Sequence, residues 1–129
     1  MDSSSASSFD LAGGADTIVA PATPPGRGAL AIVRISGPRA AELVTRVCPA
    51  LDVAAVRRAQ LVEIRDGGGA VLERAVAVRY AAPRSYTGED MVELTVHGSP
   101  ALVRRTVELL VDAGCRPARP GELTRRAVA

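Results

Sequence analysis

Two charged residues stand where strands would be apolar. Arg34 breaks the apolar run 29–36, and Glu93 lies in the run 91–97. Strand alternation there puts Val92, Leu94 and Val96 on one face, and Met91, Glu93, Thr95 and His97 on the other. A charge in such a setting needs a partner or an exit to water. A carboxylate so placed accepts two adjacent N–H donors in a fork, a strong charge-assisted arrangement. An arginine beside it donates to the same ligand or orients the carboxylate. The plainer readings are a solvent-facing carboxylate for Glu93 and a cross-strand ion pair for Arg34, with Glu93 itself as the candidate partner.

Other candidates carry less chemistry. His97 is the single histidine and the only general base by residue type. A lone histidine at a strand end is more often a hydrogen-bonded structural residue, and no Ser or Cys nucleophile pairs with it in sequence. Tyr86 and Thr87 belong to the segment 85–90, which either shapes a site or makes a tight turn ahead of the strand. The Pro/Gly segment 24–28 has the look of an anion-binding turn, but it precedes a strand rather than a helix N-terminus. It reads as a loop lining a ligand site or a contact between copies, with Arg27 facing an acidic ligand group. Cys48 and Cys115 show no metal-ligand spacing and read as buried reduced thiols; no metal site is expected.

Composition excludes several classes. All 16 basic residues are Arg, and there is no Lys. A phosphate-binding G-x-x-x-x-G-K-[ST] loop needs that Lys, so nucleotide hydrolysis of that type is excluded for this sequence. The net charge is +2, with one Phe, two Tyr and no Trp to stack on bases, so direct nucleic-acid binding has weak support. No apolar run reaches the roughly 18 residues of a membrane-spanning helix. Residues 1–15 lack the basic and apolar regions of a secretory signal and read as a flexible tail. A cytoplasmic location is expected.

The elements that must position Arg34 and Glu93 follow from periodicity and punctuation. A short strand is expected at 17–20 and a second at 29–36, ended by Gly37 and Pro38. Pro38 then opens a helix running through Cys48, with apolar residues at 40, 41, 43, 44 and 47. After a linker at 49–58, Asp66-Gly67-Gly68-Gly69 predicts a hairpin joining strands 60–65 and 70–81. The strand 91–97 leads to a helix with Ser99 as N-cap, Pro100 at its first position and Gly114 as its stop. A further helix opens after Pro120-Gly121-Glu122. The class is α+β, a mixed or antiparallel sheet with packed helices. Its core is built from Val, Leu, Ile and Ala, a modest margin that oligomerisation commonly supplements.

Three blocks then resemble a known family. They are Asp16-Thr17-Ile18-Val19-Ala20 with Ala22 to Gly28 and Arg34-Ile35-Ser36-Gly37; Ser85-Tyr86-Thr87-Gly88-Glu89-Asp90 with Glu93-Leu94 and His97-Gly98; and Ala118 to Ala127. In this order they are similar to the N-terminal domain of the MnmE (TrmE) tRNA-modification GTPases, and the resemblance covers residues 16–129.

The resemblance implies a fold similar to the tetrahydrofolate-binding domain of the glycine-cleavage aminomethyltransferase. It implies a homodimer that binds a reduced folate, 5-formyl-tetrahydrofolate or 5,10-methylene-tetrahydrofolate. It implies that this folate is the one-carbon donor for the carboxymethylaminomethyl group at C5 of the tRNA wobble uridine. The family's helical and GTPase domains, with their GTP, magnesium and potassium, are absent from this sequence. The FAD-dependent protein MnmG (GidA) is the implied partner, and tRNA is engaged indirectly. The matched folate contacts are Arg34 and Glu93; the pterin N3–H and 2-amino group would be the two donors that Glu93 accepts. Arg27, Tyr86, Thr87 and His97 are candidates for lining the site. A further family contact, a Lys past the third block, has no counterpart. Two other readings stay open: a dimeric scaffold without independent ligand binding, and a free-standing folate-dependent aminomethyltransferase, for which the sequence is small and lacks an evident base.

Overall fold

The computed structural model describes residues 16–22 and 28–128. The expected tail at 1–15 and Arg27, with most of its loop, lie outside the described residues.

Among the described residues six strands and three helices follow in the order β1 (Ile18–Pro21), β2 (Leu30–Ser36), α1 (Ala40–Thr45), β3 (Gln60–Arg65), β4 (Val71–Tyr80), β5 (Met91–His97), α2 (Pro100–Ala113), β6 (Arg116–Pro117) and α3 (Glu122–Val128). The strands form one sheet in the order β3-β4-β5-β2-β1-β6. Neighbours run antiparallel except β1 and β6, which are parallel. The expected α+β class with a mixed sheet is therefore correct. β6 was not foreseen, because two residues carry no periodicity.

Alternation along the strands sorts side chains cleanly. Val33, Ile35, Val62, Ile64, Ala75, Ala77, Val92, Leu94 and Val96 turn to one face and pack with Leu43, Val44, Leu109 and Leu110 of α1 and α2. The opposite face carries the charged residues of β2 and β5. Its end nearest Ser36 is closed as well: Met91 is buried even though it shares a face with Glu93. The loop between β4 and β5 covers that end, bonding Ser36 through Thr87 and Glu89.

Helix α2 begins as expected. The Ser99 hydroxyl accepts from the Leu102 N–H at 3.4 Å, Pro100 is the first helical residue and Gly114 ends the helix. Thr106 is buried, and its hydroxyl donates to the Leu102 carbonyl at 2.9 Å. Helix α1 departs from expectation at both ends. Gly37 takes φ 143°, and a Cβ there would stand 2.5 Å from the Thr17 Cα, so only glycine fits the turn. Pro38 lies in that turn rather than in the helix. The Arg39 N–H, donating to Thr17 Oγ1 at 3.0 Å, is tied to the residue just ahead of β1 before α1 begins. Past Thr45 the chain tightens, with the Val47 and Cys48 N–H groups both donating to the Val44 carbonyl. The hairpin turn is built by an aspartate as much as by glycine: Asp66 Oδ1 accepts from the Gly68 and Ala70 N–H groups at 2.9 and 3.0 Å. Among the described residues no helix is long and apolar enough to cross a membrane.

Candidate ligand-binding site

Arg34 and Glu93 are direct partners in the β2–β5 ladder, on the face away from α1 and α2. The Arg34 Nε–H donates to Glu93 Oε2 at 2.7 Å, with the side chains 24% and 20% exposed. The cross-strand ion pair and the candidate site are thus one arrangement. Neither Glu93 Oε1 nor the terminal nitrogens of Arg34 has a partner among the described residues. A carboxylate offers about four lone-pair positions, so most of the accepting capacity of Glu93 remains available. The pair presents a fixed acceptor beside fixed donors, which suits a flat polar heterocycle with adjacent N–H groups.

Tyr86 joins this pair. The Arg34 Cζ lies 4.6 Å from the Tyr86 ring centroid, in cation–π range. The Tyr86 hydroxyl meets Thr124 Oγ1 of α3 at 3.2 Å. Thr87, its neighbour, is buried and turned away, its hydroxyl 2.7 Å from that of Ser36. His97 stands four residues along β5 from Glu93, about 13 Å at strand spacing. Its side chain is 74% exposed, and its Nδ1 lies 2.6 Å from Glu73 Oε2. The structure therefore brings Arg34, Glu93 and Tyr86 together, sets Thr87 beneath the loop and leaves His97 at the strand end. Arg27 lies outside the described residues.

A second cluster borders the site. Arg126 donates through Nη1 to Glu89 Oε1 at 3.0 Å and through Nη2 to Asp16 Oδ1 at 2.8 Å and Glu122 Oε2 at 3.1 Å. Arg116 bonds both Asp16 and Glu122. Glu89 Oε1 also accepts from the Ser36 hydroxyl at 2.7 Å. The Arg116 hydrogen bond, against the opposing effect of burial, lowers the Glu122 carboxyl from 4.5 to about 2. Burial raises Asp16, but the hydrogen bonds of Arg116 and Arg126 outweigh it and lower the group. Sequence reasoning missed this cluster. The i, i+4 spacing of Glu122 and Arg126 was the one local signal; the other partners lie far away along the chain.

The same sheet face carries an apolar row beside the charged one. Leu61, Val76, Thr95 and Ile32 are successive register partners across β3, β4, β5 and β2. Leu61 and Val76 are 63% and 40% exposed. Cys48 and Cys115 are free and buried, as expected, and burial pushes their thiols up to about 12 and about 11. No group of metal-ligating residues occurs among the described residues.

Comparison of the sequence with known proteins shows its family. Residues 17–129 match the family model described as GTP-binding protein TrmE N-terminus. The tRNA modification GTPase MnmE of Halorhodospira halophila is 50% identical over 113 residues, covering 88% of this chain and 24% of that protein. The MnmE proteins of Thermus thermophilus and Aquifex aeolicus are 48% and 46% identical, each over 87% of this chain and over 27% and 25% of their own lengths. The chain thus spans about a quarter of the length of the curated relatives it matches.

Proposed function

This chain belongs to the TrmE N-terminus family, and from that premise we propose that it is the reduced-folate-binding and homodimerising module of a tRNA-modifying GTPase. The ligand is 5-formyl- or 5,10-methylene-tetrahydrofolate. The Glu93 carboxylate accepts the pterin N3–H and 2-amino donors, and Arg34 holds that carboxylate in register. The observation that carries this reading is the Arg34–Glu93 pair, set in the middle of an open sheet face with accepting and donating capacity left over. The fold is of the kind found in the tetrahydrofolate-binding domain of the glycine-cleavage aminomethyltransferase. In the complete system the folate supplies one carbon for the wobble uridine, while GTP hydrolysis and an FAD-dependent partner, MnmG, contribute the remaining steps.

Self-association rests on a separate observation, the exposed row of Leu61 and Val76 running toward Thr95 and Ile32. Contiguous apolar surface of this kind marks contact sites. Its Ile32–Thr95 pair lies two residues along the strands from Arg34 and Glu93, so a second copy on this face would close over the folate site.

Calorimetric titration with 5-formyl-tetrahydrofolate tests the proposal. Micromolar binding, about 8 kcal/mol, that is lost in Glu93→Ala supports it. A folded, dimeric chain that takes up no folate leaves the scaffold reading instead.

A further inference from the structure

We propose that α3 is a positioning element for Arg34, acting on it through the loop between β4 and β5. This deepens the folate reading and rests on it for its functional meaning. Among the described residues no side chain of α3 hydrogen-bonds to Arg34 or Glu93. Two links run from the helix to that pair. Thr124 Oγ1 meets the Tyr86 hydroxyl at 3.2 Å, and the Tyr86 ring lies under the Arg34 guanidinium, 4.6 Å from its Cζ. Arg126, its side chain only 9% exposed, clamps Glu89 in the same loop at 3.0 Å. Glu89 in turn accepts from Ser36, two residues along β2 from Arg34.

The physical need for such a device is plain. Arg34 is tethered to Glu93 through Nε alone, one hydrogen bond on a long side chain with several rotatable bonds. Tyr86 is itself 47% exposed and sits on a loop. Without support the ring would sample many orientations, and the guanidinium with it. The helix removes that freedom from both sides: the hydroxyl contact fixes the far end of the ring, and the Arg126–Glu89 pair fixes the loop that carries it. Arg126 also binds Asp16 and Glu122, so the anchor is joined to the segment leading into β1. A ligand seated on Glu93 then meets a guanidinium already in place, and less ordering is required on binding.

The test reads Arg34 directly, before any ligand is added. In the nitrogen-15-labelled chain, the Arg34 Nε–H resonance carries the ring-current shift of Tyr86. Thr124→Val, at an exposed helix position, and Tyr86→Phe both cut the hydroxyl contact while keeping the fold and the ring. Each is expected to move that resonance toward its unstacked value, and the double variant to move it no further than either alone. Arg126→Gln is expected to move it more. The affinity for 5-formyl-tetrahydrofolate should fall about 3-fold to 10-fold in Thr124→Val and Tyr86→Phe, with the thermal midpoint of Thr124→Val unchanged. An Arg34 resonance that stays in place in all three variants overturns the proposal. So does unchanged affinity in variants of a wild-type chain that binds. If the wild-type chain binds no folate while the resonance moves as expected, the positioning stands and the folate reading fails.

Discussion

Arg34 and Glu93 face one another across the two central strands, Nε to Oε2 at 2.7 Å, on a face that the packed helices leave open. Glu93 holds the acceptor positions, so its loss should be the more severe. On the proposed folate reading, Glu93→Ala removes two charge-assisted hydrogen bonds to the ligand, each worth about 1.5–3 kcal/mol. Folate affinity is expected to fall by roughly 100-fold or more, read by calorimetry. Retained affinity would place the pterin elsewhere.

Close approach of two backbones predicts a structural failure at Gly98. Its N–H donates to the Ala29 carbonyl at 3.0 Å, and a Cβ there would lie 1.9 Å from the Gly28 carbonyl oxygen. Gly98→Ala must push the start of β2 away from the end of β5. A cost of about 3 kcal/mol or more is expected, seen as a lower urea midpoint.

The proposed association through the apolar row predicts that Leu61→Glu with Val76→Glu yields a monomer. Both side chains are exposed, so the circular dichroism spectrum should not change, and light scattering reads the mass. A double variant that remains dimeric would move the interface off this face.

Acid stability follows from the carboxylates bound to arginine. Glu122 is lowered from 4.5 to about 2, and Asp16 is lowered as well. A group whose folded value is depressed stabilises the fold above its unfolded value and loses that contribution as pH falls through the folded one. The thermal midpoint should therefore decline as pH falls from about 4.5 toward 2. The decline should be shallower in Glu122→Gln, which starts from a lower midpoint. Equal slopes in the two proteins would exclude Glu122 as a source.

The thiols make the opposite kind of prediction. Burial holds Cys48 near 12 and Cys115 near 11, so neither forms appreciable thiolate at pH 8. A disulfide reagent should leave both untouched in the native chain and modify both in denaturant.

Much of the frame could be read from residue order. Val92, Leu94 and Val96 alternate against Glu93, so strand, face and charged row followed from one period. Ser99, Pro100 and Gly114 bounded α2 for local reasons. Arg34 and Glu93 stood out because charge in an apolar strand demands an explanation. What escaped reading was decided by distant contacts. Thr17 ties the Arg39 N–H and displaces the start of α1 past Pro38. β6 exists only because β1 offers it an edge. Arg126 gains its meaning from Asp16 and Glu89, and no local pattern announces partners so far away. Tyr86 could be assigned to a loop but not to the Arg34 guanidinium, because loop conformation is set by what it packs against.

The direct opposition of Arg34 and Glu93 also guards the fold against its nearest errors. Side chains alternate along a strand, so sliding β2 by one residue would drive Arg34 into the layer of Val92 and Leu94 and expose Val33 and Ile35. A charge stranded in that apolar layer is strongly disfavoured. Sliding by two residues keeps the faces correct but sets Arg34 against Met91 or Thr95, and the ion pair is lost. Hydrophobic patterning alone rejects only the odd slips; this pair rejects the even ones too. The residues best placed to hold a ligand thus also proofread the pairing of the two strands that carry them.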